Sequence, residues 1–379
     1  MNVIPYGKHN ITDEDIRAVV DVLKSDFLTQ GPKVKEFEDA FAEYIGCKYA
    51  IAVANGTAAL HLCTLALDLK DGGKVITTPI TFVASANSVK YTGGDVVFAD
   101  IDAETYLLDI NHVRKLLEES PKGTYKGIIP VDFAGRAVNM EEYKKLALDY
   151  DLWIIEDACH APGGYFIDSQ IERQNCGNSQ FADLSIFSFH PVKHIACGEG
   201  GMITTNNKVL YEKIKNLRTH GIQQNPEMKT ENHGPWYYEM QELGYNYRLS
   251  DMQATLGLSQ LKRADKGLER RKEIAKKYVS SFQNKSYLKR QPIFVEGHAY
   301  HLFVLEVEDR LGLLNYLREK NIYAQVHYIP AHLMPYYKQF GWKKGDLVSA
   351  EIYYEHCISL PLYPTLTDEE QDFVIETIY

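Results

Sequence analysis

The sequence predicts an α/β protein with a large domain, built on a mainly parallel sheet between helices, and a smaller C-terminal α+β domain. Short apolar runs alternate with helical stretches between residues 49 and 189. Runs that are apolar on both faces and separated by helices are typical of βαβ units, whose parallel strands are covered on both sides. The chain has 379 residues, more than one ordinary core accommodates, so two domains are expected.

Two helices are predicted ahead of the first strand. In residues 12–25, Thr12 and Asp15 resemble a capping box, with Asp in place of the usual Glu. The apolar stripe of this helix consists of Ile16, Val19, Val20 and Leu23. Residues 32–45 also have apolar residues at helical spacing, and Gly46 is placed as their C-cap.

Seven strands are predicted for the large sheet. Six are the apolar runs at residues 49–54, 74–79, 95–101, 126–133, 152–158 and 184–189. Helices are predicted between most of them, near residues 57–68, 81–91, 111–119 and 140–150. Residues 200–207, GGMITTNN, are interpreted as the seventh strand, for which an antiparallel direction is considered.

The C-terminal part has a different order of elements. Residues 222–247 are polar and aromatic and are interpreted as a long functional loop. A long helix is predicted over residues 250–282, with Ser250 as its N-cap. Strands near 301–307 and 322–328 and helices near 311–320, 347–356 and 367–378 follow. The predicted domains are therefore 1–250 and 251–379, the second beginning with the bridging helix.

Composition argues against several classes of protein. The net charge is −10, whereas nucleic-acid binding usually needs a basic face. The N-terminus lacks the apolar stretch of a signal peptide and the longest apolar segments have strand length, so a cytoplasmic protein without membrane contact is expected. The six cysteines are scattered without a Cys-x-x-Cys pair, as is typical of free thiols in a reducing compartment.

Three polar segments follow predicted strands: NGTAAL (55–60), EDACH (156–160) and SFHPVKHIACGEGG (188–201). Because ligands of parallel sheets bind at the carboxyl ends of the strands, we expect these segments to converge. In the first, Gly56 and Thr57 begin a helix, and free N–H groups there with the threonine hydroxyl suit a phosphate. Taken alone, this segment is better explained as an ordinary N-cap.

In EDACH, Asp157 is expected at the end of an apolar strand. A carboxylate in that position suits a pyridinium N–H, which it keeps protonated and electron-withdrawing. A structural N-cap aspartate explains the residue equally well. His160 is placed either near the same ring or in the core as a histidine with satisfied hydrogen bonds.

The third segment is the most informative. Ser188 precedes Lys193 by five residues, and Gly198, Gly200 and Gly201 follow. A lysine beside a glycine-rich turn after an apolar strand is unusual for a solvated side chain, and burial would lower its pKa and free the amine for imine formation. Ser188 is placed as a phosphate donor. An exposed loop lysine is the alternative.

Other catalytic motifs are missing from the sequence. His190 and His194 are spaced like a metal pair, but Pro191 argues against a helix that presents both, and there is no HExxH pattern or third ligand, so no metal is expected. The GxSxG, GxxxxGK[ST] and GxGxxG motifs are also missing. The sequence therefore does not favour a hydrolase with a serine elbow, a P-loop protein or a nicotinamide-dependent enzyme.

The segments NGTAAL, TPITFVASAN, VDFAG, EDACHA, SFHPVKHIACGEGGM, RTHGI and GYNYRLSDMQATLGLSQL occur in this order. Together they resemble the DegT/DnrJ/EryC1/StrS family of sugar aminotransferases, and the resemblance extends from about residue 10 to the C-terminal end. It implies the type I fold of the pyridoxal 5′-phosphate (PLP)-dependent aspartate aminotransferases. It also implies PLP as cofactor, with pyridoxamine 5′-phosphate as its intermediate form.

The resemblance implies a role for each matching residue. Lys193 binds the cofactor covalently, Asp157 pairs with the pyridine nitrogen and His160 lies near the phenolic oxygen. Phe82 stacks on the ring. The phosphate ligands are Gly56, Thr57, Ser188 and, from the neighbouring subunit, Asn246. A homodimer is therefore expected. Some relatives are dehydratases with a histidine at the lysine position, so Lys193 favours transamination.

Three further stretches resemble family members of pseudaminic acid biosynthesis: ENHGPWYYEMQELGYNYRLSD, AQVHYIPAHLMPYY and CISLPLYPTLTDEE. The implied reaction transfers an amino group from L-glutamate to C4 of a UDP-2-acetamido-2,6-dideoxy-4-ketohexose. Its product is UDP-4-amino-4,6-dideoxy-N-acetyl-β-L-altrosamine. The implied sugar-nucleotide site consists of Tyr6, Asp26, Phe27, Leu28, Thr29, Gln325, Val326, His327 and Tyr328.

Two alternatives stay open at this stage. The first is a related aminotransferase that acts at C3, or at C4 of another UDP- or dTDP-linked keto-sugar. The second is a PLP-binding regulator without turnover, which is disfavoured because the chain is acidic and no DNA-binding region precedes residue 10. Substrate profiling distinguishes the first alternative from the implied reaction. Measured turnover would exclude the second alternative.

Overall fold

The computed structural model describes residues 3–223, 227 and 229–378. Its strands are β1 (Ile4–Pro5), β2 (Tyr49–Val53), β3 (Lys74–Thr77), β4 (Asp95–Phe98), β5 (Tyr125–Ile129), β6 (Trp153–Asp157), β7 (Tyr165–Ile167), β8 (Arg173–Asn175), β9 (Leu184–Ser188), β10 (Gly201–Thr205), β11 (Ile222–Gln223), β12 (Glu239–Met240), β13 (Phe303–Glu306), β14 (Ile322–Tyr323) and β15 (Cys357–Leu360). Its α-helices are α1 (Asp13–Leu23), α2 (Pro32–Ile45), α3 (Gly56–Ala66), α4 (Ala84–Tyr91), α5 (Ile110–Glu118), α6 (Met140–Tyr150), α7 (Lys208–Arg218), α8 (Asp251–Leu261), α9 (Ala264–Phe282), α10 (Arg310–Glu319), α11 (Pro335–Lys338), α12 (Val348–His356) and α13 (Asp368–Ile378).

A seven-stranded sheet with the order β2-β10-β9-β6-β5-β3-β4 forms the centre of the large domain. All neighbouring strands are parallel except β10, which is antiparallel to both β2 and β9. The central strands are almost wholly buried because helices and their apolar faces cover both sides. The predicted α/β class, the mainly parallel sheet and its antiparallel seventh strand are confirmed.

The helix ends follow local capping signals. Thr12 and Asp15 form the predicted capping box of α1, and Gly46 ends α2 in the left-handed conformation with φ 85°. In α1, however, Ile16 and Leu23 are more than half exposed, whereas Val22 is buried. The helix packs against α8 with its Val22 side, so most of the predicted apolar stripe faces outward.

The prediction of one helix over residues 250–282 is wrong. Helix α8 ends at Leu261 and α9 begins at Ala264, with Arg263 at φ −122° between them. Arg263 donates to the fully buried Asp15 at 2.5 Å and to the carbonyl of Asn10 at 2.5 Å. A buried carboxylate needs such a partner, and the break accompanies its placement.

The C-terminal part also differs in detail from the prediction. The strand expected over 322–328 is limited to Ile322 and Tyr323, and residues 357–360 form a strand that was not predicted. The interpreted loop over 222–247 contains the two short paired strands β11 and β12, and its residues 224–226 and 228 lie outside the described residues.

The N-terminal strand joins the C-terminal part of the chain. Strand β1 pairs in parallel with β14, and Ile4 is buried in the same core as Tyr278, Phe282 and Phe303. The boundary at residue 250 stays a prediction. Within the described residues, no helix is both long and apolar enough to cross a membrane. All six cysteines are free thiols.

Candidate active site

A cavity of about 470 Å³ lies at the carboxyl ends of the parallel strands, where the topology predicts ligand binding. Loops after β2, β3, β5, β6 and β9 contribute to it, and β1 and the segment after β14 close it from the other side. Among the predicted site residues it is lined by Tyr6, Gly56, Thr57, Phe82, Asp157, His160, Ser188, Lys193, His327 and Tyr328. The cavity therefore brings together residues separated by more than 300 positions.

Asp157 ends β6 with a carboxylate whose orientation is fixed on both sides. Ser85 Oγ donates to its Oδ2 at 2.8 Å, and the backbone N–H of Cys159 donates to its Oδ1 at 3.2 Å. Ser85 in turn shares a hydrogen bond of 2.8 Å with Thr81. The side chain is almost fully buried. A buried, oriented carboxylate of this kind is suited to pair with a protonated ring nitrogen.

Lys193 reaches the same cavity from the turn that connects β9 to β10. Its backbone N–H donates to the carbonyl of His190 at 2.9 Å. Burial lowers the pKa of Lys193, and Cys159 and Asp157 partly oppose that shift. The neutral form of the Lys193 amine is therefore more populated at a given pH than that of a solvated lysine, and the neutral form is the one that acts as a nucleophile.

The turn that begins α3 has the features of an anion site. Asn55 accepts from Ala58 N–H at 2.8 Å as the N-cap, and Gly56 and Thr57 are the first residues of the helix. The first N–H groups of a helix have no partner within it and attract anions. A Cβ atom on Gly56 would lie 3.0 Å from Ser188 Cβ and narrow the gap between this turn and Ser188. A Cβ atom on Gly201 would lie 2.6 Å from the backbone of Asn55.

His160 is held in one tautomer by its neighbours. The backbone N–H of Ala134 donates to Nδ1 at 3.2 Å, so a neutral ring carries its proton on Nε2. Burial and the nearby Lys193 lower the pKa of His160 well below its usual value, which keeps the ring neutral. Nε2 lies 3.4 Å from Tyr328 Oη, so His160 acts as a donor toward this hydroxyl.

The wall from the C-terminal part is aromatic. The rings of Tyr6 and His327 are 5.0 Å apart, and His327 Nδ1 lies 2.9 Å from Ser359 Oγ. Burial, followed by Lys193, lowers the pKa of His327 to about 3. Burial also raises the pKa of Tyr328. Phe82 on the opposite wall is 59% exposed, which leaves its ring face accessible from the cavity.

The remaining predicted residues lie elsewhere in the described chain. Asp26 and Phe27 line a separate cavity of about 660 Å³ between α1 and α8. Leu28 and Thr29 contact the start of α8 through its residues Asp251 and Ser250. Asn246 forms a backbone bridge with Thr219, and Gln325 forms one with Ser359. Val326 follows Gln325 in the chain. The roles of all these residues stay predictions.

Sequence reasoning missed several residues of the cavity. Thr81 and Ser85 follow the predicted strand at 74–79, and their position at a strand end is a signal that would have identified them. His301 has no such signal, because it comes from the C-terminal part. Its ring lies 4.3 Å from that of His160, and within the described residues its Nδ1 has no hydrogen-bond partner. Cys159 also lines the cavity.

The sheet order and the position of the cavity define an α/β protein with a ligand site at the carboxyl ends of its parallel strands. The chain belongs to the DegT/DnrJ/EryC1/StrS aminotransferase family, whose model matches residues 9–379. The confirmed fold and family agree with the resemblance carried by the motifs.

Two relatives indicate the range of proteins to which the chain is similar. The spore coat polysaccharide biosynthesis protein SpsC of Bacillus subtilis is 39% identical, over 99% of this chain and 96% of that protein. The UDP-4-amino-4,6-dideoxy-N-acetyl-β-L-altrosamine transaminase of Campylobacter jejuni (strain 81-176) is 37% identical, over 100% of this chain and 97% of that enzyme.

Solved structures are similar over the whole chain. PseC of Helicobacter pylori, an aminotransferase involved in the biosynthesis of pseudaminic acid, superimposes with a TM-score of 0.88 at 32% identity and covers 100% of this chain and 98% of its own. The PLP form of the putative sugar aminotransferase Spr1654 of Streptococcus pneumoniae has a TM-score of 0.87 at 29% identity, over 99% and 97% of the two chains.

Proposed function

We propose that this protein is a PLP-dependent aminotransferase that moves an amino group from L-glutamate to C4 of a UDP-2-acetamido-2,6-dideoxy-4-ketohexose. The product is UDP-4-amino-4,6-dideoxy-N-acetyl-β-L-altrosamine, as in pseudaminic acid biosynthesis. The observation that carries the proposal is the meeting of Lys193, Asp157 and the start of α3 in one cavity. The named C. jejuni and H. pylori relatives support the choice of sugar.

The side chains present fit PLP, which carries a phosphate, a ring nitrogen and a group that reacts with amines. The N-terminus of α3 and Ser188 suit the phosphate, and the absence of a Cβ atom on Gly56 keeps that space open. The buried carboxylate of Asp157 suits the ring nitrogen. When bound, PLP condenses with amines and accepts the electron pair released at the amino-acid α-carbon.

The residues of the chain then have separate tasks. Lys193 would hold the cofactor until the amino donor arrives, and its freed amine would take up and return the proton of the donor α-carbon. Asp157 keeps the ring nitrogen protonated. His160 presents Nε2–H on the side of Tyr328, where it stabilises an oxygen anion without being charged itself.

The sugar nucleotide is assigned to the wall that includes Tyr6, His327 and Tyr328. These three side chains are polar and mostly buried, and they face the cavity from β1 and from the segment after β14. Binding in this position would bring the keto group of the sugar toward Lys193. The wall then selects which face of the keto carbon receives the proton.

An absorbance spectrum of the purified protein tests the proposal directly. With PLP bound, a band near about 420 nm should bleach toward about 330 nm when L-glutamate is added. Adding the UDP-4-keto-6-deoxy sugar should restore the first band and yield one equivalent of amino sugar. If no long-wavelength band forms with PLP supplied, the assignment of Lys193 and the proposed cofactor are both wrong.

A second candidate is an aminotransferase for another nucleotide-linked keto-sugar. The identity to SpsC, 39%, is slightly higher than that to the C. jejuni transaminase, 37%, and this observation favours keeping it. A panel of UDP- and dTDP-linked 3-keto and 4-keto sugars separates the two. Bleaching by glutamate without recovery by the proposed UDP sugar would retain the aminotransferase and transfer the assignment to whichever sugar restores the band.

A further inference from the structure

Behind the cavity, two carboxyl groups are buried side by side on the far side of β6. Asp132 follows β5 and Glu156 precedes Asp157, and their side chains are 0% and 3% exposed. Because successive residues of a strand point to opposite faces, Glu156 lies on the face away from the cavity. Oxygen atoms of the two carboxyls and the sulfur of Cys176 all lie within 4.8 Å of one another.

The hydrogen-bond donors around this pair are distributed unequally. Glu156 receives the N–H of Gly177 on Oε1 at 2.9 Å and the hydroxyl of Ser185 on Oε2 at 2.8 Å. Asp132 receives the N–H of Val138 on Oδ1 at 2.8 Å, and the Cys176 thiol lies near enough to interact with its carboxyl as a weak donor. Within the described residues Asp132 Oδ2 has no hydrogen-bond partner, and the Glu156 carboxyl and the Cys176 thiol are the polar side chains closest to this carboxyl group.

Two adjacent buried carboxylates repel each other, so the pair needs a cation or a proton. Burial, reinforced by Glu156, raises the pKa of Asp132 well above its usual value. Burial also raises the pKa of Glu156, but the two hydrogen-bond donors on Glu156 oppose that rise. The other titratable groups near the pair are Asp157 on β6 and the thiols of Cys176 and Cys159, and none of these supplies a positive charge.

A metal ion is a poor fit to this cluster. Both oxygens of Glu156 already accept hydrogen bonds, and burial raises the pKa of Cys176, so its sulfur keeps its proton and is a weak ligand. A proton between Asp132 and Glu156 needs no space and removes the repulsion between the two carboxylates, which the weak donor of the neutral Cys176 thiol cannot do.

We propose that Asp132 carries a proton and donates it in a hydrogen bond to ionised Glu156, and that this acid pair positions Asp157. The backbone N–H of Asp132 donates to the carbonyl of Asp157 at 3.0 Å, and the N–H of Asp157 donates to Pro130 at 2.9 Å. These backbone bonds join the segment after β5 to the end of β6 at the residue that faces the cavity, and the hydrogen bond of the acid pair would join the side chains of the same two segments.

The pair also fixes the local charge. The pair places one negative charge behind Asp157. Two negative charges there would repel the Asp157 carboxylate, and a neutral pair would weaken the electrostatic field that acts on the ring nitrogen. This consequence rests on the proposed binding of PLP at Asp157, whereas the position of the proton does not. Asp132 and Glu156 are thus positioning residues, since neither lines the cavity.

Infrared spectroscopy of the wild-type protein with isotope labels tests the proton. We expect the carbonyl stretch of a neutral carboxylic acid at neutral pH, shifted by ¹³C in the aspartate carboxyl and unmoved by ¹³C in the glutamate carboxyl. The band should vanish in Asp132→Asn and persist in the exposed control Asp149→Asn. A band that follows the glutamate label, the lack of any band, or one bound metal per chain by elemental analysis would overturn the proposal.

The charge is tested by a pH titration of the absorbance of the PLP-loaded protein. Asp132→Asn keeps Glu156 ionised and should leave the pH midpoint of the absorbance change equal to that of the wild-type protein. The double variant Asp132→Asn/Glu156→Gln removes the charge, so the midpoint should fall by about one pH unit because the protonated, cationic form loses a favourable field. Equal midpoints in the two variants would remove the electrostatic role. Failure to bind PLP would affect the proposed function and leave the infrared result standing.

Discussion

At the residue scale, the cavity combines side chains whose environments give them different protonation states. Lys193 loses solvent and its pKa falls, and His160 is kept neutral by burial. Asp157 receives two hydrogen bonds that a carboxylate accepts well. A lysine of lowered pKa, a neutral imidazole and an oriented carboxylate in one cavity are groups suited to proton transfer at a cofactor.

Replacing Lys193 with alanine should abolish turnover, because no other described side chain of the cavity offers a primary amine for the covalent bond to PLP. Steady-state formation of the amino sugar measures the effect. The exposed lysine variant Lys122→Ala serves as a control and should retain wild-type activity. Near-normal turnover by Lys193→Ala would show that the lysine is not the attachment site.

Asp157→Asn should reduce turnover by about 100-fold or more while unfolding in urea stays within about 1 kcal/mol of wild type. The amide keeps an oxygen for the Cys159 N–H, and the Ser85 hydroxyl can rotate to accept from the new NH₂ group. The variant loses the negative charge that stabilises a protonated ring nitrogen, and the packing around residue 157 is kept. Unaltered kinetics would assign Asp157 a structural role alone.

The lowered pKa of Lys193 predicts the pH dependence of cofactor loading. The neutral amine is the reactive form, and it predominates above the pKa of the lysine. The rate at which the apo-protein takes up PLP should therefore rise with pH and level off below about pH 10, where free lysine is still gaining reactivity. Stopped-flow absorbance gives the midpoint, with Nα-acetyl-lysine as reference. A midpoint equal to that of the reference would contradict the effect of burial.

At the element scale, helix caps connect the start of α8 to the cavity. Ser250 and Gln253 form a capping box, and the Gln253 side chain also donates to the carbonyl of Glu199 at 2.8 Å. Glu199 lies in the turn between β9 and β10 that carries Lys193. The cap thus stabilises the helix and at the same time anchors a wall of the cavity.

Removing this cap should be measurable in the free energy of unfolding. Ser250→Ala is expected to destabilise the protein by about 1 kcal/mol, because the N–H of Gln253 loses its acceptor. The matched control is Ser280→Ala in α9, whose exposed hydroxyl donates to the carbonyl of Lys277 within the same helix. Urea denaturation compares the two. Equal losses would mean that the capping box contributes no more than an exposed serine.

At the scale of the whole molecule, the N-terminal segment presents an apolar surface. Ile16 and Leu23 on α1 and Phe27 after it are each more than half exposed, and Val20 and Leu28 lie beside them. Several exposed apolar side chains within one short segment are typical of a contact with another chain. It supports the expected homodimer, in which Asn246 is proposed to reach the partner's active site.

Mixing two defective variants tests the shared site. If each site takes its lysine from one chain and Asn246 from the other, dimers of Lys193→Ala and Asn246→Ala contain one intact site. Mixing after mild dissociation should then restore up to about one quarter of wild-type activity, since half of random dimers are mixed. Sedimentation should give twice the chain mass. No gain on mixing, in a sample shown to exchange subunits, would contradict the role of Asn246.

The sequence by itself determined the features that are encoded over a few residues. Strand positions, the capping box at Thr12, the N-cap at Ser250 and the glycine turns around Lys193 follow from side-chain periodicity and backbone preferences, which act locally. Those same signals predicted that the segments after β2, β6 and β9 would converge, because parallel strands end at the same edge of a sheet.

Only the tertiary structure decided the contacts between distant parts of the chain. At the break between α8 and α9, Arg263 contacts Asp15, some 250 residues away, and the pairing of β1 with β14 spans more of the chain still. His301 beside His160, and the acid pair of Asp132 and Glu156, have no local signature either. Their surroundings come from elements that meet only after folding, and those surroundings fix desolvation and hydrogen bonding, which set protonation.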